Sequence, residues 1–151
     1  MQLTQKESTL LKDLKGQEKL CIEKYNQYSS EASDGQLKNL FSQIAGIEQH
    51  HFDTITQIES GTVPSVSGGS STQQNSFTAT YSGQETEGKK HDSYLCGDAL
   101  AMEKHVSGLY DTCIFEFQDN QVRDVLNHIQ SEEQNHGKMI YDYMKANNMY
   151  S

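Results

Sequence analysis

Residues 48–51 read Glu48-Gln49-His50-His51, and the same Glu-Gln-x-His pattern returns 85 positions later as Glu133-Gln134-Asn135-His136. Each copy has a further glutamate 30 residues before it, Glu18 in the first half of the chain and Glu103 in the second. Helical proteins that bind two iron or manganese ions use one Glu from each of two helices and a Glu-x-x-His from each of the other two. The spacing therefore predicts a pair of metal ions inside a four-helix bundle.

Length and charge limit the classes of protein to which the chain can belong. Its 151 residues suit a single domain with one core, and no apolar run approaches the roughly 18 to 20 residues that span a bilayer. The opening residues 1–6 lack the apolar stretch of a signal peptide, so we expect synthesis in the cytoplasm without one. The net charge of -9 repels nucleic acid and anionic membranes, and neither is an expected partner.

The first half of the chain predicts a helical hairpin over residues 4–60. Thr4 and Glu7 have the spacing of a capping box, and the first helix is expected to continue to about Ala32. Ser33-Asp34-Gly35 supplies a turn and an N-cap for a second helix, which Gly61 and Pro64 end. The inward stripes, at steps of three and four, are Leu11, Leu14, Glu18, Cys21, Tyr25 and Tyr28, then Leu37, Leu40, Phe41, Ile44, Glu48, His51, Phe52, Ile55 and Ile58.

A second hairpin is predicted over residues 92–146, after a linker over 61–90 that is rich in Gly, Ser, Thr and Gln. Asp119 restarts the chain between its two helices. The predicted inward residues are Cys96, Ala99, Glu103, Val106, Tyr110, Cys113 and Phe117, then Val122, Val125, Leu126, Ile129, Glu133, His136, Ile140 and Tyr143.

Matches at the 85-residue offset extend beyond the candidate ligands, for example Tyr25 with Tyr110 and Asp34 with Asp119. We therefore predict an all-α four-helix bundle built from one hairpin used twice, with an approximate twofold axis. The linker reaches on the order of 100 Å when extended, whereas the second helix is roughly 40 Å long, so the linker is long enough to cross the whole bundle.

The same spacing assigns a role to each candidate ligand. Each of the four glutamates lies about 15 residues from the turn of its hairpin, so all four are expected at one height in the bundle. Glu48 and Glu133 are predicted to bridge two ions, with Glu18 and Glu103 as terminal ligands and His51 and His136 completing the set. Iron is the first expectation, with manganese or zinc as alternatives. A solvated helix face remains the alternative interpretation.

Several further polar residues lie near the candidate ligands in the sequence. Tyr25 and Tyr110 are either core aromatics or donors to the ligand carboxylates. The remaining candidates are expected on the surface, His91 and His128 because they lack partners at a useful spacing and the others because they point away from the stripes: His50, His105, Glu23, Glu116 and Glu132. Cys21, Cys96 and Cys113 form no C-x-x-C pair, so they are buried free thiols or crosslinks between chains.

The ligand set as a whole resembles the ferritin-like di-iron superfamily, which includes bacterioferritin, rubrerythrin and manganese catalase. The second hairpin is similar to the coat F family of bacterial spore coat proteins. That likeness rests on Glu103-Lys104, Tyr110, Arg123, Ser131-Glu132-Glu133-Gln134-Asn135-His136, Ile140-Tyr141-Asp142-Tyr143-Met144 and Met149-Tyr150. The family's usual Gly-Trp-Tyr ending is here Asn148-Met149-Tyr150. The resemblance implies a spore coat location, with other coat proteins or further copies of the chain as partners.

Two functions follow as hypotheses. In the first, two metals in the core react with O2 or peroxide, and electrons come from a partner or from Fe2+ itself, as in a ferroxidase or a peroxidase. In the second, the chain is a structural coat component whose metal site is structural or inherited and idle. Iron storage is disfavoured because the chain has no fifth helix and its crossover is long.

Overall fold

The computed structural model of the chain describes residues 1–66, 76–81, 83 and 85–150. Within these residues the regular secondary structure is entirely helical. The four helices are α1 (Gln5–Glu31), α2 (Gly35–Glu59), α3 (Glu87–Glu116) and α4 (Asn120–Ala146). The predicted all-α four-helix bundle is confirmed. The centre of the predicted linker, residues 67–71, lies outside the described part of the chain.

Each helix starts after a side chain that satisfies its first free N–H groups. Thr4 and Glu7 form the predicted capping box, with the Thr4 hydroxyl accepting from Glu7 N at 3.0 Å and Glu7 Oε1 accepting from Thr4 N at 2.9 Å. Asp34 caps α2 and Asp119 caps α4, as the sequence predicted. The capping residues in the two turns therefore determine where the second helix of each hairpin begins.

The third helix begins five residues earlier than the predicted start near Asp92. Thr86 caps α3 by accepting a hydrogen bond from Lys89 N at 3.1 Å. The sequence pattern missed this first turn because residues 87–90 are polar, include Gly88, and carry no apolar stripe. The segment between α2 and α3 is therefore shorter than the predicted linker of residues 61–90.

The core is built from the predicted stripes. Every residue assigned to them is buried except Phe52, which is half-buried and lies under the Lys15 ammonium group at 5.6 Å from the ring centroid. Glu18, Glu48, His51, Glu103, Glu133 and His136 are buried among these apolar side chains, at the middle of the bundle. Helical periodicity therefore predicted which face of each helix turns inward.

Hydrogen bonds between the hairpins follow the internal repeat. Asp92 Oδ1 of α3 accepts from Ser33 N, in the turn of the first hairpin, at 2.8 Å. At the equivalent positions, Glu7 Oε2 of α1 accepts from Gln118 N, in the turn of the second hairpin, at 3.2 Å. Each hairpin thus supplies a carboxylate that holds the turn of the other, which runs α1 antiparallel to α3. The hairpins are related by the approximate twofold axis that the repeat predicted.

The described ends of the segment between α2 and α3 lie at opposite ends of α4, as a long crossover predicts. Its first residues, 63–66, lie beside Gln121 and Asp124 at the start of α4. Its last residues lie at the other end of α4, where Thr80 N and Tyr81 N both donate to Asn147 Oδ1, at 2.8 and 3.1 Å. In the described part of the chain, no helix has both the length and the apolar character that crossing a membrane requires.

Replacing Asp92 by alanine is predicted to lower the free energy of unfolding by about 2 to 4 kcal/mol. The fully buried Asp92 carboxylate accepts from Ser33 N, Asp34 N and Tyr81 Oη, and its loss leaves donors at the first turn without an acceptor. Urea unfolding of Asp92→Ala tests this, with Asp111→Ala, an exposed carboxylate on the same helix, as the matched control. Equal losses in the two variants would contradict the assigned role.

Candidate metal centre

Each helix contributes to one group of acidic and imidazole side chains at the middle of the bundle. The first cluster is Glu18, Glu48, His51 and Glu133, and the second is Glu48, Glu103, Glu133 and His136. Within each cluster the potential ligand atoms lie within 4.8 Å of one another, and every member is buried. The structure therefore brings together all six residues that the sequence proposed as metal ligands.

The two clusters share two carboxylates. Glu48 and Glu133 belong to both clusters, whereas Glu18 and Glu103 each belong to one. The two shared glutamates are the ones for which a bridging role is predicted, and the assignment of bridging and terminal ligands stays a prediction. Because α2 provides Glu48 and α4 provides Glu133, both hairpins are needed to complete either cluster.

Each imidazole is closest to the shared glutamate of the opposite hairpin. His51 Nδ1 lies 2.9 Å from Glu133 Oε1, 3.6 Å from Glu48 Oε1 and 3.8 Å from Glu18 Oε2. The Nδ1 atom therefore faces one carboxylate from each of three helices. A cation in the first cluster would meet oxygen and nitrogen donors from all of them.

The second cluster repeats this arrangement. His136 Nδ1 lies 2.9 Å from Glu48 Oε1, 3.4 Å from Glu103 Oε1 and 3.7 Å from Glu133 Oε2. The two imidazole rings are stacked, with their centroids 6.0 Å apart. The clusters are thus near copies, as the repeat requires.

Several buried polar atoms of this group lack hydrogen-bond partners among the described residues. They are Glu18 Oε2, both carboxylate oxygens of Glu48, Glu103 Oε2, Glu133 Oε2 and both ring nitrogens of His136. Buried polar groups are nearly always hydrogen-bonded, and buried charges are paired or bound to metal. Oxygen and imidazole donors without partners fit a pair of divalent cations, and iron, manganese and zinc all accept such donors.

Three carboxyl groups of the clusters, those of Glu18, Glu48 and Glu133, have strongly shifted pKa values. Burial raises the pKa of Glu18 and that of Glu133 well above the usual range, because a weakly polar interior disfavours the charged form. Burial acts in the same direction on Glu48, but the adjacent imidazoles of His136 and His51 outweigh it and hold the pKa of Glu48 well below its usual range. Without a cation, the cluster therefore reduces its negative charge by keeping protons.

The imidazoles behave in a complementary way. Burial favours a lower pKa for His51, but the hydrogen bond with Glu132 and the nearby carboxylate of Glu48 outweigh it and raise that pKa to about 10. Carboxylates around His136 outweigh burial in the same manner and raise its pKa well above the usual range. Both imidazoles therefore carry protons that a bound cation must displace.

Two tyrosines connect the clusters across the hairpins. Tyr25 Oη donates to Glu103 Oε1 at 2.5 Å, and Tyr110 Oη donates to Glu18 Oε1 at 2.6 Å. Of the two interpretations from sequence, donation to the candidate ligands is the one that the geometry supports. Burial and the adjacent carboxylates raise both tyrosine pKa values, so the hydroxyls remain protonated donors. That they tune bound metals stays a prediction.

Glu132 is the residue that sequence reasoning missed. It was expected on the surface, but its Oε1 atom lies 3.0 Å from His51 Nε2 and 3.3 Å from His128 Nε2. The signals in the sequence were its position next to Glu133 and its i,i+4 spacing from His128, which is half-buried rather than fully exposed. The surface assignment was therefore wrong for these two residues and correct for His50, His91, His105, Glu23 and Glu116, which are exposed.

Cavities approach the group from two sides. One of about 340 Å³ lies between α3 and α4, is lined by Glu103 and Glu133, and is bordered by Tyr141 and Tyr150. The other, of about 310 Å³, is lined by His51, Glu132 and their neighbours. Small molecules and ions thus have routes toward the ligands.

None of the three cysteines belongs to either ligand cluster. Cys21, Cys96 and Cys113 are all buried and unpaired. Burial is the main cause that raises their pKa values, to about 11 for Cys113, so they remain thiols. The interpretation as buried free thiols is confirmed, and such thiols are not placed to crosslink chains.

One comparison with known proteins finds a family that is similar to part of the chain. The family model of the Coat F domain matches residues 91–151. The matched segment contains most of α3 and all of α4, and with them Glu103, Glu133 and His136. The match supports the resemblance of this hairpin to the coat F family. No curated protein and no solved structure gives a significant match.

Metal-free protein is predicted to lose thermal stability as the pH rises from 6.5 to about 10. Folding raises the pKa of His51 from 6.5 to about 10, so the folded chain binds more protons than the unfolded chain in this window. The resulting stabilisation is complete below pH 6.5 and is lost as the pH rises through the folded-state value. Melting temperatures in a chelator should fall less for His51→Gln than for the wild type. His50→Gln, at an exposed position, should behave as the wild type does, and identical profiles for all three would count against this linkage.

Proposed function

We propose that the chain is a ferritin-like spore coat protein of the coat F family whose bundle core binds two metal ions and reacts with O2 or peroxide. The observation that carries the proposal is the pair of buried ligand clusters that share Glu48 and Glu133. The coat location and the coat-protein partners rest on the Coat F match, which covers the second hairpin. Iron is the first expectation for the metal, and manganese or zinc are the alternatives.

The charge of the ligand set supports two divalent ions. Glu18, Glu48, Glu103 and Glu133 supply four negative charges when ionised, which balance two divalent cations, and His51 and His136 bind as neutral imidazoles. Without the ions, burial favours the protonated forms of Glu18 and Glu133, whose pKa values are raised. Bound cations provide a compensation that leaves the side chains free to act as ligands.

Bound iron or manganese supplies redox chemistry and Lewis acidity, and the chain supplies position, proton donors and exclusion of water. Tyr25 and Tyr110 orient the terminal carboxylates of the opposite hairpin through short hydrogen bonds. The apolar surroundings keep bulk water away from the ligands, while the cavity lined by Glu103 and Glu133 admits a small oxidant. In the absence of a rubredoxin-like cysteine set in the sequence, Fe2+ or a partner protein is the source of electrons.

Purified wild-type protein loaded with Fe2+ without oxygen is predicted to hold about two ions per chain. Glu48→Ala and Glu133→Ala each remove a shared ligand and should abolish binding of both ions, whereas Glu18→Ala and Glu103→Ala should each leave about one. Elemental analysis measures the stoichiometry, and absorbance after addition of O2 or peroxide measures oxidation.

Glu23→Gln removes an exposed carboxylate of α1 and is the control for the loss of one charge. It should keep both ions and the oxidation rate. No bound metal in wild-type protein would refute the metal centre, and unchanged turnover in Glu18→Ala and Glu103→Ala would refute the oxidoreductase.

A structural role is the second candidate, and one observation favours it. Every cluster draws ligands from both hairpins, so bound ions join the two halves of the bundle. In a coat protein, such a joint would raise resistance to heat and denaturants without any turnover. The site would then act as a metal staple.

Removal of the metals is predicted to lower the unfolding free energy by about 4 kcal/mol for each site that was held at 1,000 times its Kd. Thermal unfolding before and after chelation, followed by readdition of the metal, measures this effect. A stable, metal-dependent fold that consumes neither O2 nor peroxide supports the staple. A small shift together with rapid oxidation supports the enzyme instead.

A further inference from the structure

We infer that the two metal positions differ in affinity, and that the position held by Glu18 and His51 binds its ion more tightly because Glu132 supports His51. This inference rests on the proposed metal centre and adds the order in which its positions fill. The clusters are otherwise close copies, because the ligands and the two tyrosine donors all repeat at the 85-residue offset. Glu132 is the point where the copies diverge.

On the first side, the outer nitrogen of the imidazole has a carboxylate partner. His51 Nε2 lies 3.0 Å from Glu132 Oε1, and Glu132 in turn lies 3.3 Å from His128 Nε2. With Nε2–H donating to Glu132, the Nδ1 atom of His51 faces the carboxylates of its cluster. Glu132 thus holds the ring in the orientation that metal binding needs and keeps the remaining proton on Nε2 when the ion displaces the proton of Nδ1.

On the second side, the equivalent support is absent. The position 85 residues before Glu132 is Ile47, whose side chain cannot accept a hydrogen bond. His136 Nε2 is buried, and none of the described residues provides it with a hydrogen-bond partner. Neither the tautomer nor the ring orientation of His136 is therefore fixed by an outer acceptor.

Carboxylates behind a histidine ligand increase its basicity and are worth about 10- to 100-fold in metal affinity. The negative charge of Glu132 adds to this effect on its own side of the group. The position with Glu18 and His51 is therefore expected to bind about 10- to 100-fold more tightly than the position with Glu103 and His136. Substoichiometric metal should collect at the first position.

Stepwise binding in the wild type is not a sufficient test, since two adjacent cations repel each other even at equivalent positions. Variants with one remaining position avoid that problem. Glu103→Ala leaves the position of Glu18 and His51, and Glu18→Ala leaves the position of Glu103 and His136. Calorimetric titration with Mn2+ alone should give a Kd about 10- to 100-fold lower for Glu103→Ala than for Glu18→Ala.

Glu132→Gln then identifies the cause. In the Glu103→Ala background it should raise the Kd to the level of Glu18→Ala, and in the Glu18→Ala background it should change the Kd little. Ile47→Glu introduces the missing acceptor and should strengthen binding in the Glu18→Ala background. Circular dichroism verifies that each variant is folded, and the gain of affinity in Ile47→Glu cannot arise from misfolding.

The outcomes separate this inference from the proposal on which it rests. If the wild type binds no Mn2+ or Fe2+, the metal centre itself is refuted. If it binds two ions but the two single-position variants have equal affinities, the centre stands and the inequality is overturned. If Glu132→Gln weakens both positions equally, the inequality does not come from support of His51, and the inference is overturned as well.

Discussion

Four carboxyl groups buried at the middle of one bundle impose the constraint on which the rest of the structure depends. Glu18, Glu48, Glu103 and Glu133 are each almost fully buried, and isolated charges in such surroundings cost several kcal/mol each. Protonation relieves this cost in the metal-free chain, as the raised pKa values of Glu18 and Glu133 indicate. Cations would relieve it while keeping the groups ionised. The same side chains therefore lower the stability of the fold when they are charged without a cation, and they are well suited to bind metal.

Both hairpins contribute to this buried group, since each provides two of its four carboxylates. Tyr25 donates to Glu103 and Tyr110 donates to Glu18, in each case across the two hairpins. At the ends of the bundle, Asp92 accepts from the turn of the first hairpin and Glu7 from the turn of the second. These paired contacts orient both halves around the centre. One hairpin alone would expose its ligands and its apolar stripe, so the complete site exists only in the packed bundle.

Periodicity and repetition made much of this predictable. Buried residues at steps of three and four fixed the inward faces, and the 85-residue offset brought six ligands to one height. The start of α3 was not predicted because its first turn is polar, and only the Thr86 cap indicates where the helix begins. The contact of Glu132 with His51 was not predicted for a different reason. Stripe positions describe what a helix presents to the core, whereas Glu132 reaches His51 from the border of its stripe, through a side chain long enough to bridge two helices.

Departures from the repeat lie where the two halves have different surroundings. Asp34 accepts from Tyr143 at 2.6 Å and from Thr80 at 2.9 Å, and so holds the end of the crossover beside the first hairpin. Among the described residues, the segment between α2 and α3 meets this turn of the first hairpin through Thr80. Glu132 opposite Ile47 is a departure of another kind, because it acts on a ligand rather than on the chain path. The backbone repeats, but the surroundings of the two histidines do not. The difference between Glu132 and Ile47 is sufficient to make the candidate site asymmetric, because only His51 has an outer carboxylate partner.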